Sequence, residues 1–161
     1  MVYQRGSASI YRADAIGSAT CSRTQYAVKV VSEESREEAL AVERLRREWT
    51  ASRAATQRNL ISILSGHVHC APYYLVMPWI EGVNVGRHLA KHGRLATPVA
   101  LWIARQTAEA LGTLHAAGYL HGDIRPSKLI IDRSGHVTLV GLGSAKALPN
   151  EPTLADDAIS G

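Results

Sequence analysis

The sequence predicts an α+β fold, with a β-rich part over residues 1–82 that holds one helix and a mainly helical part over residues 83–161. Three observations predict it. Runs rich in β-branched and aromatic residues, with side chains alternating in polarity, dominate the first part. Helical periodicity takes over after Gly82. Two short apolar strands with a turn between them return after residue 128. The chain has 161 residues, enough for one good core or two small lobes, and its 46% hydrophobic and 20% charged content is that of an ordinary soluble globular protein. The net charge of +4 is spread along the chain, and Arg44, Arg46 and Arg47 sit among glutamates on a helix, as a solvated face does. No nucleic-acid surface is expected. No signal peptide or membrane-length apolar run is visible, so Cys21 and Cys70 are expected to be reduced thiols in a cytoplasmic protein.

Ser9-Ile10-Tyr11-Arg12-Ala13 and Tyr26–Val31 read as strands around a turn containing Gly17 and Ser18. In the second strand Ala27, Lys29 and Val31 share a face. A lysine there is either an edge residue reaching back to water or a residue held for chemistry. Residues 32–55 read as a helix, with Ser35 and Glu38 spaced as a capping box and Leu45, Trp49 and Ser52 on one face. Glu48 lies beside that face. It reads either as an exposed glutamate paired with Arg44 or Arg47, or as the partner of Lys29, nineteen positions earlier.

Residues 56–82 return to strands, through Asn59–Leu64 and Tyr73–Gly82. His67, His69 and Cys70 lack zinc-site spacing and read as a polar hairpin turn. Asn84 to Lys91 reads as a short helix stopped near Gly93. Thr97 and Pro98 read as N-cap and first helical residue of a longer helix, with the apolar stripe Ile103, Ala110, Leu111 and Leu114 and a left-handed cap at Gly118. Leu129–Asp132 and Val137–Val140 read as strands joined by Arg133-Ser134-Gly135-His136. Residues 144–161 are polar and read as a mobile loop.

Five of these stretches, in this order, resemble the protein kinase family, and most closely bacterial serine/threonine kinases of the eukaryotic type. Tyr26-Ala27-Val28-Lys29 is similar to the strand motif V-A-I-K, and Glu48 stands where the family pairs that lysine with a helix glutamate. Asn59–Leu64 resembles H-P-N-I-V-x-L, and Tyr73–Gly82 resembles the fifth strand and hinge. His121-Gly122-Asp123-Ile124-Arg125-Pro126-Ser127-Lys128 resembles the catalytic loop H-R-D-L-K-P-x-N. Gly141-Leu142-Gly143, eighteen positions after Asp123, stands where kinases carry D-F-G. The resemblance implies a kinase-like fold, with an N-lobe through the hinge over 1–82 and a partial, mainly helical C-lobe over 83–161. It implies that Asp123 orients an acceptor hydroxyl and that Arg125 touches the transferring phosphate. Glu48 would hold the Lys29 ammonium against the ATP phosphates. Ala27, Met77, Pro78 (through its carbonyl), Ile80 (through its backbone), Lys128 and Ile130 complete the implied nucleotide site.

The departures from the family are chemical. Both magnesium ligands are replaced, the loop asparagine by Lys128 and the D-F-G aspartate by Gly141, so no metal site is expected. Tyr3, Arg5 and Ala8 stand where the phosphate-loop glycines belong, with Gly6 out of phase, and Leu142 replaces the D-F-G phenylalanine. No A-P-E motif or further large-lobe helices follow, so the helix over 98–117 is expected to expose an apolar face suited to a protein partner or a missing C-lobe segment. Three functional readings stand at this point. The chain is a truncated pseudokinase that binds ATP weakly or without metal, the Lys128 ammonium replacing the ion. Alternatively it is an active serine/threonine kinase, or a kinase fragment with no function of its own.

Overall fold

The structure, a computed structural model, describes residues 3–5, 8–16, 25–32 and 38–149. Its elements in chain order are β1 (Tyr3–Arg5), β2 (Ala8–Ala13), β3 (Tyr26–Val31), α1 (Glu38–Ala54), β4 (Ser65–His67), β5 (Tyr74–Pro78), β6 (Val83–Asn84), α2 (Val85–His92), α3 (Thr97–Ala116), β7 (Tyr119–Leu120), β8 (Leu129–Ile131), β9 (Val137–Leu139) and β10 (Lys146–Ala147). The α+β architecture is the one expected. An antiparallel five-stranded sheet runs in the order β1-β2-β3-β5-β4. Strand β3 is therefore central, which removes the reading of Lys29 as an edge lysine. Alternation puts Ala27 and Val31 on the buried face, with Ala27 in register with Met77 and Lys29 with Leu75 of β5.

Helix α1 covers that face. Its buried residues Val42, Leu45, Glu48, Ala51 and Ser52 recur at three- and four-residue spacing. The Ser52 hydroxyl donates to the Trp49 carbonyl at 3.0 Å, which lets a polar residue sit on this stripe. The expected cap at Ser35 and the turn at Gly17 and Ser18 lie outside the described residues.

The stretch 59–64 does not form a ladder strand. Leu60 makes a single parallel bridge with Leu139. The Ile61 N–H donates to the Leu139 carbonyl at 2.9 Å, and the Leu139 N–H donates to the Asn59 carbonyl at 2.7 Å. The physical reason is the fully buried Asn59 side chain. Its amide donates to Gln106 Oε1 and to the Val137 carbonyl, both at 2.7 Å, and its Oδ1 accepts from Gln57 Nε2 at 3.1 Å. Gln106 Oε1 also accepts from the Val137 N–H at 2.9 Å, and its Nε2 donates to the Gly135 carbonyl at 2.9 Å. This network ties the α1–β4 connection to α3 and to the β8–β9 hairpin.

The hairpin turn is as expected, with Asp132 Oδ1 accepting from the Ser134 and His136 amides at 2.8 and 3.0 Å. Helix α2 is capped by Asn84, whose side chain accepts from the Arg87 N–H at 3.1 Å, and it ends at Gly93 with φ 81°. Helix α3 differs by one residue at its start. Ala96 is the N-cap, extended at φ −61° and ψ 142°, Thr97 is already helical, and no side chain caps the end. Gly118 does adopt a left-handed φ of 79°.

Residues 144–147 correct the expectation of a mobile loop from 144 onward. Strand β10 pairs antiparallel with β7, and the Leu148 N–H donates to the Gly118 carbonyl at 2.7 Å. Residues 150–161 lie outside the described residues. Among the described residues no helix is long and apolar enough to cross a membrane.

Asn59→Ala removes the donor to two buried acceptors and is expected to destabilise the fold by about 3 kcal/mol, read as a lowered midpoint in urea unfolding.

Candidate functional site

Strand β3 and helix α1 bring together the first two predicted residues. Lys29 Nζ lies 2.6 Å from Glu48 Oε2. Glu48 is buried, so its reading as an exposed surface glutamate is overturned, and Arg47 pairs with Glu43 instead. The sheet face and the helix stripe converge here. Two charges are taken out of water together, which is tolerable because each neutralises the other.

Ala27 and Met77 are buried opposite each other in the β3–β5 register. Pro78 ends β5 against Tyr26, where its missing N–H breaks no ladder bond beyond the strand. Ile80 packs against the same core as Ala27 and Met77, and Ile130 lies in β8 opposite Asn84 and Thr138. Between Pro78 and Ile80, the Trp79 N–H donates to the Gln25 carbonyl at 2.9 Å. The Arg12 guanidinium sits 4.1 Å from the Trp79 ring centroid.

The loop between β7 and β8 carries the other predicted residues, and it joins them. Arg125 Nε lies 3.1 Å from Asp123 Oδ1, and Lys128 Nζ lies 3.6 Å from Asp123 Oδ2. One carboxylate thus meets two cations. These pairs are part-exposed, so each contributes about 1 kcal/mol or less. Their consequence is positional. Lys128 ends a single 3-10 turn, Pro126–Lys128. Its N–H donates to the Arg125 carbonyl at 2.8 Å, and its carbonyl accepts from the Val140 N–H at 2.9 Å. The backbone is thereby fixed next to Gly141. Gly141 has a left-handed φ of 84°, and a Cβ placed on it would collide with Lys128 Nζ. The ammonium stands in the space where any side chain at position 141 would begin.

Two further glycines shape the site through contacts that no local sequence pattern predicts. Gly122, at φ 74°, lies so close to the Ser144 carbonyl that a Cβ would overlap it. Gly143 lets the 142–144 turn press on α1, with the Arg44 carbonyl 3.2 Å from where a Cβ would be. Leu142 between them is fully buried. The only sequence signal for these contacts was the glycines themselves, in H-x-D and in the tripeptide Gly141-Leu142-Gly143.

The protein kinase domain family model matches residues 15–160. The chain belongs to the protein kinase family. It is 26% identical over 156 residues to the serine/threonine-protein kinase PrkC of Bacillus subtilis, covering 97% of this chain and 24% of that protein. It is 30% identical over 142 residues to the serine/threonine-protein kinase PknA of Mycobacterium tuberculosis, covering 84% of this chain and 32% of the relative. A fungal relative, the cAMP-dependent protein kinase catalytic subunit of Arthrobotrys oligospora, is 31% identical over 125 residues, covering 78% of this chain and 24% of its own length. The chain therefore spans a third or less of the length of these curated relatives.

Magnesium, which the kinase family uses, does not fit the residues present. A hard divalent cation needs several oxygen donors. Both oxygens of Asp123 are engaged by cations, Gly141 offers no side chain, and an ammonium fills the adjoining space. Among the described residues no group of three or more His, Cys, Asp or Glu is placed to hold a metal.

His121 anchors the base of this kinase loop. It is buried, and its Nδ1 accepts from the Asp123 N–H at 3.3 Å. Burial, and then the Lys128 ammonium, lower its pKa from the ordinary 6.5; a backbone group of Val140 and the carboxylates of Asp123 and Glu48 pull the other way and lose. The unfolded chain therefore takes up this proton first as pH falls. The stability that His121 contributes is present above pH 6.5 and is lost below it. Thermal unfolding between pH 7.5 and 5.5 is expected to show a shallower loss of Tm in His121→Asn than in the wild type (the pH interval is chosen to bracket about 6.5).

Proposed function

We propose that the chain is a pseudokinase module, a protein kinase fold that binds ATP weakly and without magnesium, transfers no phosphate and acts through protein contacts. The observation that carries this is the Lys128 ammonium lying against Gly141 and on Asp123. Phosphoryl transfer depends on cations positioned on the phosphate oxygens and on a carboxylate that orients the acceptor hydroxyl. Lys29, held by Glu48, keeps the first of these. Asp123, the expected carboxylate, is spent on Arg125 and Lys128. The adenine side of the proposed site consists of Ala27, Met77, the Pro78 carbonyl, the Ile80 backbone and Ile130. In this reading residues 1–82 form the N-lobe through the hinge, and residues 83–161 form a partial C-lobe in a cytoplasmic protein.

Protein contact is supported by apolar side chains left on the surface. Leu101 is 65% and Trp102 is 49% exposed on α3, and Ile124 is 52% exposed beside Asp123. A protein partner or a further C-lobe segment fits that face.

The formed Lys29–Glu48 pair, together with the retained Asp123 and Arg125, favours one other reading, an active serine/threonine kinase. Two measurements separate the readings. With EDTA present and ATP about tenfold above its dissociation constant, the pseudokinase is expected to gain about 4 °C in Tm, and Lys29→Met to gain none. With γ-labelled ATP it is expected to label no protein substrate. Labelling that disappears in Asp123→Asn would establish the enzyme and sink the pseudokinase.

A further inference from the structure

We infer that magnesium opposes nucleotide binding at this site, and that Lys128 and Gly141 together select an uncomplexed polyphosphate. The inference rests on the nucleotide reading proposed above and adds to it the chemical form of the ligand.

The ammonium is fixed from three directions. Backbone bonds to Arg125 and Val140 hold the residue, Asp123 Oδ2 draws its side chain, and the bare Gly141 leaves room for its tip. It is part-buried, with the side chain 19% exposed. With Arg125 it places two cations beside the Asp123 carboxylate.

A divalent ion carried in on a nucleotide meets that charge at close range. Like charges a few ångströms apart repel strongly where water is partly excluded. Each Asp123 oxygen already faces a protein cation, which disfavours it as a ligand to the ion. A triphosphate without metal meets the opposite situation. It brings its full negative charge to two protein cations, and ammonium and guanidinium N–H groups are strong donors to phosphate oxygens.

The two replacements act as one unit. A side chain at position 141 would occupy the place of the ammonium tip and displace it, so this placement of Lys128 depends on Gly141. Gly141 without Lys128 would leave a gap beside Asp123, with Arg125 as the carboxylate's one remaining cation of the two described. Gly141 is thus a specificity-determining position that acts through Lys128.

The test is isothermal titration of the protein with ATP, in EDTA and in excess magnesium chloride, at matched ionic strength. Wild-type affinity is expected to fall at least about tenfold in magnesium. Lys128→Gln is expected to bind more weakly in EDTA and to lose the magnesium penalty. Gly141→Asn, which crowds the ammonium while tolerating the left-handed backbone, is expected to lose the penalty as well. Equal or tighter wild-type binding in magnesium overturns the inference and leaves the nucleotide reading standing. Absence of binding in both conditions overturns the nucleotide reading, and this inference with it. The wild-type comparison decides the matter even where a variant fails to fold.

Discussion

The segment Gly141–Ser144 runs within van der Waals contact of three neighbours at once, and the centre of the molecule depends on that closeness. Gly141 admits the Lys128 ammonium, Gly143 admits the α1 backbone at Arg44, and Gly122 admits the Ser144 carbonyl. Leu142 fills the core between them. A methyl group at Gly122 or Gly143 would press on backbone that has little slack to absorb it, and one at Gly141 would displace the Lys128 ammonium. With the segment seated, α1 is held over the sheet and Glu48 is delivered to Lys29.

The site that results is electrostatically unlike one built to hold metal. Its anionic groups are matched by protein cations before any ligand arrives. Glu48 answers Lys29, and Asp123 answers both Arg125 and Lys128. Replacing an ion by a lysine keeps the sign of the charge and changes its character. A metal has open coordination positions and exchanges with solvent, whereas an ammonium is tethered, directional through its N–H groups and present at all times.

Much of this was legible in the residues. The alternation around Lys29 named its face, the kinase resemblance offered Glu48 as its partner, and Asn84, Gly93 and Gly118 marked helix ends where the chain turns. These features are local, or depend on a single well-defined distance. The features that were missed depend on contacts between distant stretches. Asn59 looked like part of an apolar strand, but burial with Gln106 and Val137 bends the chain out of a ladder there. Lys146 and Ala147 read as loop because two residues carry no periodicity, and only their pairing with Tyr119 and Leu120 makes them a strand. Thr97 is a good cap by type, yet the helix starts at it because Ala96 already accepts from the Ala100 N–H at 3.0 Å. The collision that makes Lys128 and Gly141 interdependent arises across the β8–β9 hairpin, beyond the reach of a linear pattern.

The stacking of Arg12 on Trp79 has an optical consequence. The chain has three tryptophans, and each lies beneath an arginine. Trp49 is on α1 and Trp102 is on α3, where their partners Arg53 and Arg105 belong to the same helix. Only Trp79 is paired across elements, with the segment after β5 gripping strand β2. Any relative movement of that strand and that segment changes the charge above the indole, and indole emission responds to nearby charge. The molecule carries an intrinsic fluorophore that reports on the contact between strand β2 and the segment after β5.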